Sequence, residues 1–196
     1  MAKILTNNNG TKKEVIIQNA AALFKSKSYS TASMRELAET LGVEAPSLYN
    51  HIGSKSEILQ AICFRVGNKF SVQMEMIENS AATNIEKIET IIRFHIQTML
   101  ENFNEVYVAN HEWKHLQEPF LSDFLNLRRN YEKSLISLVE KGIKKNEIKT
   151  TNPYVAVLTI LSAVRGLEFW HRNKKNVSEQ LLEDDMVNHL INGIVN

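Results

Sequence analysis

The stretch that most constrains the fold runs from Ala32 to Lys55, ASMRELAETLGVEAPSLYNHIGSK. Ser33 followed by Glu36 has the spacing of a capping box, in which the hydroxyl takes a backbone N–H of the first turn and the carboxylate reaches back to the cap. Leu37, Ala38 and Leu41 then form one apolar stripe at helical spacing, and Gly42 supplies the left-handed residue that ends it. A second short helix starts near Glu44, with Pro46 in its first turn, where the missing N–H takes nothing from the helix. Leu48 points inward, which leaves Ser47, Tyr49, Asn50 and His51 pointing out. Two short helices joined by a glycine turn make a helix-turn-helix unit, whose second helix is suited to a DNA major groove.

The rest of the chain reads as helix throughout. Lys12 to about Lys27 carries Ile16, Ala20, Leu23 and Phe24 on one face, and would brace the helix-turn-helix unit. Ser54 and Glu57 form a second capping box and open a long helix to about Ser80, lined by Ile58, Ile62, Val66 and Phe70 and long enough to connect two cores. After a polar break at 81–84, Ile85, Ile88, Ile92, Ile96, Met99 and Phe103 repeat at helical steps. A shorter segment from Glu105 to about Leu116 ends at Glu118-Pro119. The helix from Leu121 to about Lys145 turns Phe124, Tyr131, Leu135, Leu138 and Val139 inward. Asn152-Pro153 is a cap followed by a first-turn proline. The helix after it, with Val155, Val157, Leu158, Ile160, Leu161, Val164 and Leu167, is apolar nearly all round, so it is expected to be buried on two sides, one of them by a second subunit. Ser178 to Val195 closes the chain. With only 7 Gly and 3 Pro in 196 residues and no alternating pattern, the expectation is an all-α protein of about nine helices.

Charge sharpens this. The net charge is only +1, but residues 1–67 carry eight basic against five acidic side chains and the remainder is net acidic. The single cysteine, Cys63, excludes an internal disulfide and suits a reducing, cytoplasmic setting. No apolar run reaches the ~20 residues of a membrane span. The opening MAKILTNNNGTKK lacks a signal-peptide core and reads as a short disordered arm.

His111-Glu112-Trp113-Lys114-His115 matches H-E-x-x-H, which on one helix would place two imidazoles and a carboxylate as zinc proteases need them. A zinc site needs a third protein ligand, and Glu118 and Leu121 occupy the places where the extended motif has Gly and His. A zinc hydrolase using His111, Glu112 and His115 is therefore the alternative reading, beside a helical scaffold that binds another protein; structural or pocket-lining histidines are preferred, with no metal, no cofactor and no catalytic residue expected.

Ala20, Leu23, Phe24, Tyr29, Met34-Arg35-Glu36-Leu37-Ala38, Leu41-Gly42-Val43, Leu48-Tyr49-Asn50-His51, Lys55 and Leu59 stand in an order and spacing that resembles the TetR family of transcriptional regulators. The helix count and length fit that family over the whole chain. Three departures stand out: Ser28 replaces a usual Gly, Ile52-Gly53 replaces Phe and a basic residue, and Glu44-Ala45-Pro46 replaces a Ser-Lys-Gly type of start. The resemblance implies an N-terminal arm and helix-turn-helix domain over 1–53 and an effector-binding and dimerisation domain over 54–196. It implies DNA contacts from Ser33, Arg35, Ala45, Pro46, Ser47, Tyr49, Asn50, His51 and Lys55. Ala45 and Pro46 offer only apolar contact to a thymine methyl, whereas Ser47 and Asn50 can hydrogen-bond to bases. An effector would meet Met99, Phe103, Trp113, Tyr131, Arg165, Phe169 and Trp170. Two subunits would pair through the last two helices, roughly 153–172 and 178–194, using Val157, Leu161, Val164, Leu167, Val187, Leu190 and Ile191. The function implied is a ligand-responsive regulator, a repressor, that binds a pseudo-palindromic operator as a homodimer and is released by a small molecule, hydrophobic or acyl-CoA-like. No membrane partner is expected.

Overall fold

The computed structural model describes residues 11–173 and 177–195, the side chains of 172 and 173 excepted. Residues 1–10 of the expected N-terminal arm lie outside this range, and Lys12 and Lys13 belong to the first helix. The described residues form α1 (Lys12–Lys27), α2 (Met34–Thr40), α3 (Ala45–Tyr49), α4 (Lys55–Glu78), α5 (Asn84–Glu101), α6 (Phe103–His111), a 3-10 turn (Trp113–His115), α7 (Phe120–Lys144), α8 (Pro153–Arg165), α9 (Leu167–Asn173) and α10 (Glu179–Asn192). The protein is all-α. Where one helix was expected from 153 to 172 there are two, divided at Gly166. Among the described residues the extended pairing is confined to an isolated bridge between Ile148 and Val195.

The chain divides into two compact units. The first takes the chain up to Asn68 together with Asn104–Asn126; the second takes Lys69–Phe103 and the chain from Leu127 onward. A boundary after residue 53 would cut through the first unit, because the start of α4 and the α6 segment are part of its core. Ile16, Ala20 and Phe24 of α1, Leu37 and Ala38 of α2 and Leu48 of α3 pack with Ile58, Leu59 and Ile62 of α4. Val108, Ala109, Leu116 and Phe124 complete that cluster, and Ile52, at a position where the family resemblance suggests Phe, is buried in it. Both expected boundary signals of α2 are present. Ser33 and Glu36 form the capping box. Gly42 has φ 67°, and the N–H groups of Gly42 and Val43 donate to Glu39 and Ala38 as in a Schellman turn. The second box is half made. Ser54 Oγ accepts from Glu57 N, but the Glu57 carboxylate accepts from Gly53 N at 2.8 Å and pairs with Lys13 Nζ at 2.9 Å.

In the second unit the buried residues include the α5 stripe Ile88, Ile91, Ile92, Ile96 and Met99, and Leu135, Leu138 and Val139 of α7. Helices α8, α9 and α10 pack against α5. The α5 N-terminus is capped twice: Thr83 Oγ1 accepts from Glu86 N, and Glu147 Oε2 accepts from Asn84 N at 2.6 Å and from Ile85 N at 3.3 Å. Arg93 ties α10 to α5 by ion pairs to Glu183 at 3.0 Å and Asp184 at 3.2 Å, with Glu89 at 2.9 Å on its own helix.

The pairing residues need a correction of register. Val157, Val164, Leu167 and Val187 are buried within the protomer itself, so they are not groups a second subunit could cover. Leu161, Leu190 and Ile191 are half-buried. The apolar surface left outward is Tyr154, Val155 and Leu158 on α8, Phe169 on α9 and Leu181 on α10. A helix apolar on all sides carries no mark in its sequence of which stripe faces its own core.

Candidate nucleic-acid interface and effector-binding residues

Helix α3 presents its outer edge because Leu48 is fully buried beneath it. Tyr49 is 50% exposed. Pro46 and Asn50 are exposed as well, whereas Ala45, Ser47 and His51 are half-buried. Arg35 is exposed on α2 and holds Glu39 in an ion pair at 3.1 Å. A pair that open to water is worth little, so a phosphate can take the guanidinium from it. Ser33 is committed to its cap: its Oγ accepts from Glu36 N at 3.2 Å and donates to Glu36 Oε2 at 2.9 Å. Lys27 Nζ also bonds the Glu36 carboxylate, at 2.5 Å, and with Ser33 holds it down at about 2.

Lys55 makes contacts that sequence reasoning missed. Its Nζ donates to the carbonyls of Tyr29 and Ala32, both at 2.9 Å, and stands 4.5 Å from the centre of the Tyr29 ring. Two of the three ammonium N–H groups therefore fasten the α1–α2 loop to the start of α4. Backbone carbonyls accept this cation, and nothing in a sequence marks them.

The H-E-x-x-H segment lies in the same unit. Helix α6 ends at His111 and a 3-10 turn carries His115, so the two imidazoles do not share one α-helical face. The His111 ring lies against Tyr107 at 4.4 Å, while the His115 ring stacks on Tyr29 at 5.3 Å. His115 Nε2 also lies 3.4 Å from Ser30 Oγ and 3.4 Å from Glu112 Oε2. Among the described residues no three His, Cys, Asp or Glu side chains are grouped to hold a metal. The motif packs against the α1–α2 loop and gives the zinc-hydrolase alternative no ligand set.

Of the residues expected to meet an effector, Trp113 belongs to the first unit and the others to the second. Met99 and Phe103 are buried, and Phe103 stacks on His171 at 3.5 Å. Phe169 is 71% exposed. Arg165 is exposed, and Tyr131 and Trp170 are half-buried. The indole Nε1 of Trp170 is buried without an acceptor among the described residues. His95, not foreseen, joins Tyr131: Nε2 and Oη are 2.7 Å apart. The His95 ring also lies 4.4 Å from the Phe70 ring, which meets Phe94 edge-on at 5.3 Å. Burial, aided by the positive charge of Arg165, pushes the His95 imidazole down to about 3, and burial pushes the Tyr131 phenol up. The sequence signal for His95 was its place in the α5 stripe between Ile92 and Ile96.

Two outcomes follow from these contacts. Lys55→Met should lower the melting temperature as well as DNA affinity; a residue serving only as a phosphate contact would leave the melting temperature in place. The folded state keeps His95 neutral, whereas an unfolded chain takes up its proton near the ordinary value of 6.5. Stability is therefore lost as pH falls below 6.5, and the loss ends once pH passes about 3. His95→Gln should remove about 1–2 kcal/mol of the loss seen between neutral pH and about pH 5 in paired denaturant titrations.

Comparison with known proteins supplies the family. The family of bacterial regulatory proteins of the tetR type matches residues 16–62, and the tetracyclin repressor-like C-terminal domain matches residues 81–194. The chain is 25% identical over 162 residues to the biofilm operon icaADBC HTH-type negative transcriptional regulator IcaR of Staphylococcus aureus, covering 81% of this chain and 82% of that protein. It is 19% identical over 144 residues to the HTH-type transcriptional repressor KstR2 of Mycolicibacterium smegmatis, covering 73% of this chain and 70% of that protein. The solved structure of the ketosteroid transcriptional regulator KstR2 of Mycobacterium tuberculosis shares the fold with a TM-score of 0.88 at 17% identity, over 99% of this chain and 100% of that one. AibR in complex with isovaleryl coenzyme A and operator DNA gives 0.80 at 22% identity, over 91% and 97%. With both family regions matched and the glycine-turned α2–α3 unit in place, the chain belongs to the TetR family of transcriptional regulators.

Proposed function

We propose that this regulator is a cytoplasmic repressor that binds a pseudo-palindromic operator as a homodimer and leaves it when a small molecule occupies the second unit. The observation that carries the DNA-binding part is the outward edge of α3, where Pro46, Tyr49 and Asn50 are exposed over a fully buried Leu48. Two copies of that edge, one helical turn of DNA apart, would enter successive major grooves. Ala45 and Pro46 bring no side-chain donor. Specificity then rests on Arg35, Ser47 and Asn50, and most affinity on phosphate contacts from Tyr49, His51 and Lys55. No described helix is long and apolar enough to cross a membrane, in keeping with this setting.

The second subunit is argued from the outward apolar face of α8 to α10, where Tyr154 is 54%, Leu158 49%, Phe169 71% and Leu181 49% exposed. Apolar side chains gathered at one end of a chain are what a subunit partner covers. Release by an effector is a population shift: a ligand that prefers one spacing of the two DNA-binding heads biases the dimer toward it by its differential affinity. AibR, described in complex with isovaleryl coenzyme A and operator DNA, supports a hydrophobic or acyl-CoA-like effector.

A shift assay with DNA from upstream of the protein's own gene should give a discrete complex that competitor DNA of random sequence does not abolish. Tyr49→Ala should weaken binding about equally on specific and random DNA, while Asn50→Ala should lose about 1–3 kcal/mol on the specific site only. Equal losses for Asn50→Ala would remove its base-reading role. Leu158→Glu should yield monomers by light scattering, and an intact dimer would refute the α8 face.

A further inference from the structure

Resting on the effector reading above, we infer that the effector is an acyl compound whose carbonyl oxygen is received by the His95–Tyr131 pair, with its apolar chain against Phe70 and Phe94. Tyr131 Oη and His95 Nε2 share one hydrogen bond of 2.7 Å. If the phenol donates, the neutral imidazole keeps its proton on Nδ1; if the imidazole donates, the phenol proton is left over. Either way the pair holds one donor more than it uses, and no further hydrogen bond of either side chain is found among the described residues. That spare donor is not shut in, since neither His95 nor Tyr131 has a fully buried polar atom left unpaired, so it can be offered to a molecule that binds beside the pair.

Three further observations define that partner. His95 and Tyr131 are both half-buried, so the pair stands within the second unit yet keeps accessible surface. The positive charge that acts on His95 is that of Arg165. A cation there favours an oxygen carrying full or partial negative charge over an amine. Beside the pair, the Phe70 ring, 4.4 Å from His95 and 5.9 Å from Tyr131, offers an apolar wall continued by Phe94. In the same unit the Trp170 indole N–H is buried without an acceptor among the described residues. An acyl group supplies what is missing, an acceptor oxygen on an apolar chain. A free carboxylate and a coenzyme A thioester share that chemistry.

Calorimetric titration of the full-length protein separates these sources. The probes are butyrate, octanoate and palmitate, their coenzyme A thioesters, coenzyme A alone and octylamine. Binding of at least one free acid or thioester is expected, with no binding of octylamine. Tyr131→Phe should weaken that binding about tenfold, and Tyr131→Phe combined with His95→Leu should weaken it further. Both variants are to be checked for the wild-type DNA shift without ligand, which shows that they are folded. A free acid that binds where its thioester does not identifies the carboxylate, and the reverse identifies the thioester. The inference falls if no acyl probe binds, if octylamine binds as well as the acids do, or if the folded variants bind acyl probes with wild-type affinity. None of these results touches the regulator reading, which fails separately if the unliganded protein shifts no DNA.

Discussion

The structure depends first on a turn that glycine permits and leucine anchors. Gly42, at φ 67°, reverses the chain between α2 and α3, and Leu48 with no exposed surface pulls α3 onto the core built by α1 and the start of α4. Burying a leucine contributes roughly 1.5–3 kcal/mol, ample to orient a helix of only five residues, Ala45–Tyr49, which could not persist alone. Everything α3 presents outward follows from that inward contact. The recognition edge is thus a consequence of core packing.

A second constraint is electrostatic and acts on the same unit. The short α2 and the loop before it pack on the core through Tyr29, Ala32, Leu37 and Ala38, and charged groups hold them as well. Glu36 is bound by Ser33 within the capping box and by Lys27 from the end of α1. Lys55 holds the Tyr29 and Ala32 carbonyls, and His115 lies on the far side of the tyrosine segment through its ring stack and its approach to Ser30. Capping and carbonyl contacts of this kind add modest free energy singly, but with the packing of Tyr29 and Ala32 on the core they fix the path of the loop. The positive charge read in residues 1–67 is in part spent on these internal partners, which lowers the share of it that faces outward.

How much of this was legible in the sequence varied with the kind of interaction. Local patterns were read correctly: the Ser33–Glu36 box, the Gly42 stop, the Asn152 cap and the α5 stripe are short-range features whose partners lie within a few residues. The second capping box was read half right, since Glu57 prefers Gly53 N and Lys13, a residue far away in the chain. The Lys55 contacts, the Glu147 cap on α5 and the His95–Tyr131 pair join positions tens of residues apart. Two of these use backbone groups, which every residue possesses, so no residue type could have signalled them. The H-E-x-x-H segment shows the converse: a regular spacing became irrelevant once the helix ended at His111.

Helix α8 makes the same point at the level of assembly. Its sequence is apolar nearly all round, and the fold resolves it into two layers with different partners. Ala156, Val157, Ile160 and Val164 close the core over α5, while Tyr154, Val155 and Leu158 are left outward. The inner layer holds its helix in place through ordinary core burial, so the outer layer is free to answer to another surface. A charged residue in the inner layer would unfold the unit, whereas one in the outer layer leaves that core whole. In a helix apolar on all sides, composition does not separate the two layers: residues three or four positions apart share a layer, while neighbours such as Val157 and Leu158 fall in opposite ones.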